Sequence, residues 1–136
     1  MERTTTSSDP LAAELPFPIL CAAARRAAVI VVGGAGRDAA KQEAVRRSRL
    51  ELEWTETRDG GTRLVEAVAA RVRRGAATAI ILVEGAMAHR HWTALVTAAR
   101  LAGTPVAYAK RGGSTQILRA LADIERRLAE QRVGAA

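Results

Sequence analysis

The chain has 136 residues, one domain's worth, which argues against a multidomain enzyme. Apolar residues make up 49% of it, yet 30 are alanines that bury little surface each, so the core must be thin. The net charge is +7, with 19 arginines among 21 basic residues, while only Phe17, Trp54, Trp92 and Tyr108 are aromatic, too few for a single-strand base-stacking platform.

Residues 1–26 read as a flexible N-terminal extension. Met1 to Ser8 is Thr/Ser-rich and has no apolar period. Asp9-Pro10 supplies an N-cap and a first-turn proline for a short helical turn over Leu11 to Leu15, which Pro16 and Pro18 stop. Leu15, Phe17, Ile19 and Leu20 suit docking on the domain or on a second copy, and the sequence does not choose between them. Cys21 is the lone cysteine. It excludes an internal disulfide and any multi-cysteine zinc or iron–sulfur site within one chain, so a reducing, cytoplasmic setting is expected. Pro16 to Ala24 is apolar but has two prolines and no basic flank, a poor match to a secretory or lipoprotein signal. No run is long enough to span a membrane, and no membrane partner is expected.

From Ala27 the pattern turns regular. Ala27 to Val32 is a continuous apolar run closed by Gly33-Gly34-Ala35-Gly36, as a strand buried on both faces reads before a turn into a helix. Arg37 to Ser48 has Ala40, Ala44 and Val45 at helical spacing. Leu50, Leu52 and Trp54 alternate with acids, which predicts a half-exposed strand. After Asp59-Gly60-Gly61, Thr62 can cap a helix whose Leu64, Val65, Val68, Ala69 and Val72 form one stripe, ended by Gly75. Thr78 to Val83 is a further buried strand. Ala88 to Ala102 is a helix with Trp92, Leu95, Val96 and Ala99 inward, ended by Gly103 and Pro105. Val106 to Ala109 is the fourth strand, and Gly112-Gly113-Ser114 opens a last helix carrying Ile117, Leu121, Ile124 and Leu128. That stripe also has the spacing of a dimer seam.

Strand–helix alternation with short connections predicts an α/β fold, a small Rossmann-like three-layer sandwich of (βα)4 type. The expected sheet is parallel with strand order 2-1-3-4, the domain covers residues 27–131, and residues 132–136 form a disordered C-terminus. In such a sheet the loops after the strands share one edge. Those loops hold the conspicuous polar and glycine residues.

Gly33, Gly34 and Gly36 permit close backbone approach, and free amides at the helix start with Arg37 beside them favour an anion. Glu53 lies about where the ribose-binding acid of a dinucleotide fold would, although four strands leave room for only half of such a site. Val83-Glu84-Gly85 mimics the glutamate motif of toprim nucleases, but no acid follows before Asp123, so a magnesium pair is missing. His89 and His91 are the only histidines. Two apart on a helix, they point about 200° from each other, so one chain does not easily put both on one metal. No nucleophile elbow supports a serine hydrolase.

Taken in order, Val31-Val32-Gly33-Gly34, Asp59-Gly60-Gly61, Ala88-His89-Arg90-His91-Trp92, Gly103-Thr104-Pro105-Val106 and Gly112-Gly113-Ser114 resemble the small Rossmann-like domain family of unknown function numbered 2325. The resemblance spans Ala27 to about Leu128. One subgroup of that family, the Domain Related to Iron, is associated with heme b held between two subunits by histidines, and with regulation instead of catalysis. The resemblance implies His89 as the heme ligand, with Ala88 in place of the family's serine. Glu56-Thr57-Arg58-Asp59 stands where many members carry a further histidine, so one expected axial ligand is absent.

A two-fold homodimer would supply a second His89. Arg37, Arg90 and Arg111 would meet the propionates, and Ala86, Met87 and Ala88 would give a small apolar wall. The expected function is therefore a non-enzymatic ligand-binding or regulatory domain with heme b on His89. The alternative is a phosphate- or nucleotide-binding module using Gly33 to Arg37 and Gly112, Gly113, Ser114 and Thr115. A third is a nucleic-acid partner role for the basic surface.

Overall fold

The computed structural model describes residues 15–33, 38–57, 61–84, 89–111 and 113–135. Four strands, β1 (Ala28–Val32), β2 (Leu52–Thr55), β3 (Ala77–Val83) and β4 (Val106–Ala109), form one parallel sheet in the order β2-β1-β3-β4. Five helices accompany them among the described residues: α1 (Pro18–Ala23), α2 (Asp38–Ser48), α3 (Gly61–Arg73), α4 (His89–Ala102) and α5 (Ser114–Ala135). This is the expected small Rossmann-like α/β fold.

The alternation of β1 explains the three layers. Val29 and Val31 point to the face covered by α1, α2 and α5, while Ile30 and Val32 point to the face covered by α3 and α4. In β3 the two faces are fed by Ala79, Ile81 and Val83 on one side and by Ile80 and Leu82 on the other. A bulge adjusts the start of this strand: Ala28 pairs with Ala77 but Val29 with Ala79, leaving Thr78 as the extra residue. Its hydroxyl donates to the carbonyls of Ala23 (3.1 Å) and Ala27 (2.7 Å), so the bulge ties the end of α1 to the first strand.

Helix ends follow from local chemistry. Gly75 (φ +78°) and Gly103 (φ +72°) close α3 and α4 in the left-handed conformation that glycine adopts without a Cβ clash. Alanine shapes the contact between α5 and the sheet: Ala79, Ala107, Ala109 and Ala120 are all buried there, beside Ile117, Leu121 and Ile124. The α5 stripe therefore covers its own sheet, with Leu128 half-buried at its end, and is not free to act as a dimer seam.

Several boundaries differ from the sequence reading, among them that of the second strand, which runs over Leu52–Thr55 and leaves Leu50 outside it. Pro18 opens a helix instead of stopping one, because a proline in the first turn lacks only an amide that would go unbonded anyway. Phe17 and Leu20 are buried against α5 and the sheet, so the packed unit starts before residue 27, and of the two docking partners left open the chain uses its own domain. Glu125 of α5 fastens this segment by accepting the amides of Ile19 and Leu20, both at 2.9 Å. At the other end α5 continues to Ala135, since no proline interrupts the helical run after 131. The expected turn over Leu11 to Leu15 lies almost wholly outside the described residues.

Candidate functional site: the C-terminal rim

The parallel sheet brings four strand ends to one rim, at Gly33, Glu56 and Thr57, Glu84, and Lys110 and Arg111. Four helices open on the same rim, at Asp38, Gly61, His89 and Ser114. Gly33 continues the β1–β2 ladder by donating its amide to the Thr55 carbonyl (2.9 Å), then turns with φ +124°, which a side chain would resist. Gly34, Gly36, Arg37 and Gly112, together with Ala86 to Ala88, lie outside the described residues.

His89 is the first residue of α4 and is exposed. Its ring meets Trp92 edge-on at 6.4 Å between centroids, and Trp92 in turn meets Tyr108 of β4 at 5.3 Å. The indole N–H of Trp92 is buried and has no hydrogen-bond partner among the described residues. Arg90 and Arg111 are exposed, Ser114 is half-buried as the first residue of α5, and Gly113 is exposed. A Cβ placed on Gly113 would meet nothing within 4 Å, so the fold itself does not demand glycine there.

His91 behaves differently. It is only 9% exposed, and its Nε2 lies 2.9 Å from the Thr62 hydroxyl in the first turn of α3. The helical angle separating the two histidines puts one in the α3–α4 seam and the other at the surface. Thr62 was expected as a helix cap. The helix instead begins at Gly61, and the hydroxyl reaches across to α4. This cross-helix bond escapes sequence inspection because its partners are 29 positions apart.

The β2 side of the rim is neutralised internally. Lys41 donates to Glu56 at 2.5 Å and lies over the Trp54 ring, 5.5 Å from its centroid. Glu53 is engaged below the rim by both guanidinium nitrogens of Arg71. The hydrogen bond from Arg71 holds the Glu53 carboxyl below its ordinary range, and Glu53 raises Arg71 in return. The place proposed for a ribose-binding acid is therefore taken by an ion pair. Among the described residues no three His, Cys, Asp or Glu side chains cluster to hold a metal ion, and no helix is long and apolar enough to cross a membrane.

No family model, no curated protein and no solved structure matches the chain. The choice of ligand therefore rests on the chemistry of the rim.

Proposed function

We propose that the chain is a non-enzymatic ligand-binding and regulatory domain whose C-terminal rim takes an anionic ligand, with heme b ligated through His89 as the specific form. One observation carries this reading. Helices α3, α4 and α5 open on the rim with no acidic residue in their first turns, and α3 and α4 place Arg63, His89 and Arg90 there instead. A cation at a helix N-terminus opposes the macrodipole by about 0.3–1 kcal/mol. A bound anion reverses that penalty.

The residues present fit heme in two respects. His89 offers an exposed imidazole, and the edge-on Trp92–Tyr108 pair offers apolar surface beside it. Arg90 and Arg111 suit bidentate contact with carboxylates. With one such histidine per chain, a two-fold homodimer would supply a second His89 to hold the group. Bound there, heme b would supply a redox-active iron whose state a regulatory domain can report.

Titration of the protein with hemin tests the proposal. Bis-histidine ligation gives a sharp Soret band with split visible bands. His89→Ala should abolish them, while His91→Ala should keep them and lower the melting temperature through loss of the Thr62 bond. A spectrum unchanged from free hemin would end the heme form.

A second reading, a phosphate or nucleotide on the backbone of Gly33, Gly113 and Ser114, is favoured by the open space above Gly113. Nucleotides should then raise the melting temperature, because a ligand that binds only the folded state stabilises it. Gly113→Ala should remove that shift without altering the melting temperature of the free protein.

A further inference from the structure

The edge of the sheet at β4 is open. Ile80 donates its amide to the Pro105 carbonyl (3.0 Å) and pairs with Val106, while Leu82 pairs with Tyr108. In a parallel ladder this register turns the backbone of Ala107 toward β3 and leaves the N–H and C=O groups of Val106 and Tyr108 pointing outward. The Val106 carbonyl accepts from Arg127 of α5; the other outward groups have no partner among the described residues.

The side chains beside this edge are not those of an inert boundary. Tyr108 is 45% exposed, against the half-buried Trp92. Val96 and Arg100 continue the line of Trp92 along α4 at intervals of four residues, and Val106 shares the Tyr108 face of its strand. An apolar strip thus runs alongside unpaired backbone. Arg100, Lys110 and Arg111 are exposed and make no ion pair among the described residues, while Asp123, which pairs with Arg127, is also bonded to Arg126.

We propose that this edge is a docking site for an extended acidic peptide segment of a partner protein, which adds to β4 as a fifth strand. Free main-chain donors and acceptors give such a strand its register, and the Tyr108–Trp92 strip receives alternate apolar side chains. The cations decide the partner: they repel a second copy of this cationic edge and neutral strands gain nothing from them, whereas glutamate and aspartate at the outward positions are matched. Arg127 then exchanges part of its hold on Val106 for a carboxylate of the incoming strand. This surface shares Trp92, Tyr108 and Arg111 with the proposed rim ligand, so the two would compete for them, but neither reading requires the other.

The test uses hemin-free full-length protein and a short fluorescent peptide alternating glutamate with valine, beside its lysine–valine counterpart. Anisotropy should rise with the acidic peptide alone, and amide exchange should slow at Val106 and Tyr108 but not at Gly113. Tyr108→Pro removes an outward N–H from an edge position where proline is tolerated, and should weaken binding about tenfold or more. Should that variant fail to fold, Arg100→Glu with Lys110→Glu carries the test: it should lose the acidic peptide and gain the basic one.

Equal binding of both peptides, binding unchanged by either variant, or no binding would overturn the proposal. So would protection of Tyr108 that grows with protein concentration in the absence of peptide, which would mean a second copy occupies the edge. Displacement of the peptide by an oligonucleotide that leaves the Tyr108 amide unprotected would mean a general polyanion surface and would equally overturn it.

Discussion

Arg49 is the sole non-glycine residue with a left-handed backbone among those described, at φ +62°. It sits just past the end of α2, where its amide donates to the Val45 carbonyl (2.9 Å) and the Ser48 hydroxyl accepts the amide of Leu50 (3.2 Å). The turn is thus well bonded but holds a side chain where glycine is preferred, so Arg49→Gly should stabilise the domain by about 0.5–1 kcal/mol, read as a higher urea midpoint. Glu53 and Arg71 make a smaller contribution. The Glu53 carboxyl is held below its ordinary value, so its share of stability is complete above that value, 4.5, and disappears as pH falls through the lowered one. Both groups are partly exposed, which limits the effect to under about 1 kcal/mol. Glu53→Gln should therefore cost a little at about pH 7 and progressively less as pH falls below the ordinary carboxyl range, compared by urea unfolding.

Among the elements, α1 is held by distant side chains: Glu125 at its start, Thr78 at its end, and the burial of Leu20 between them. Glu125→Ala leaves two amides of α1 without their acceptor and should cost about 1–3 kcal/mol, with faster amide exchange confined to Ile19, Leu20 and Cys21. Leu20→Ala removes a fully buried side chain and should cost about 2–5 kcal/mol. The docking of Leu20 was legible in the sequence up to the choice of partner; the Glu125 contact was not, because Glu125 looks like one more charge on an amphipathic helix. The strands were legible for the opposite reason: Val29 to Val32 and Ile80 to Val83 are apolar on both faces, and only a central parallel strand needs that. The start of α3 is not legible at Thr62, where a hydroxyl beside a glycine pair suggests a cap and its partner on another helix leaves no local trace.

At the scale of the whole molecule, the topology placed the rim correctly, since parallel strands leave no other place for the loops after them to gather. What the sequence left unsorted was the division of labour within the rim. His89 and His91 look alike in the chain, and only the packing of α4 against α3 separates a surface imidazole from one spent on Thr62. The +7 charge makes a nucleic-acid role testable at this scale: retention on duplex DNA that falls equally for every sequence as salt rises would mark counterion release alone. The methyl-lined contact of α5 has a consequence for how this protein tolerates change. Truncating a side chain that is already a methyl forfeits little, but no spare volume exists for growth. Enlarging Ala109 or Ala120 to leucine would wedge the last helix off the sheet at about 1–3 kcal/mol apiece, so the interior is bounded from above by space more than from below by lost contacts.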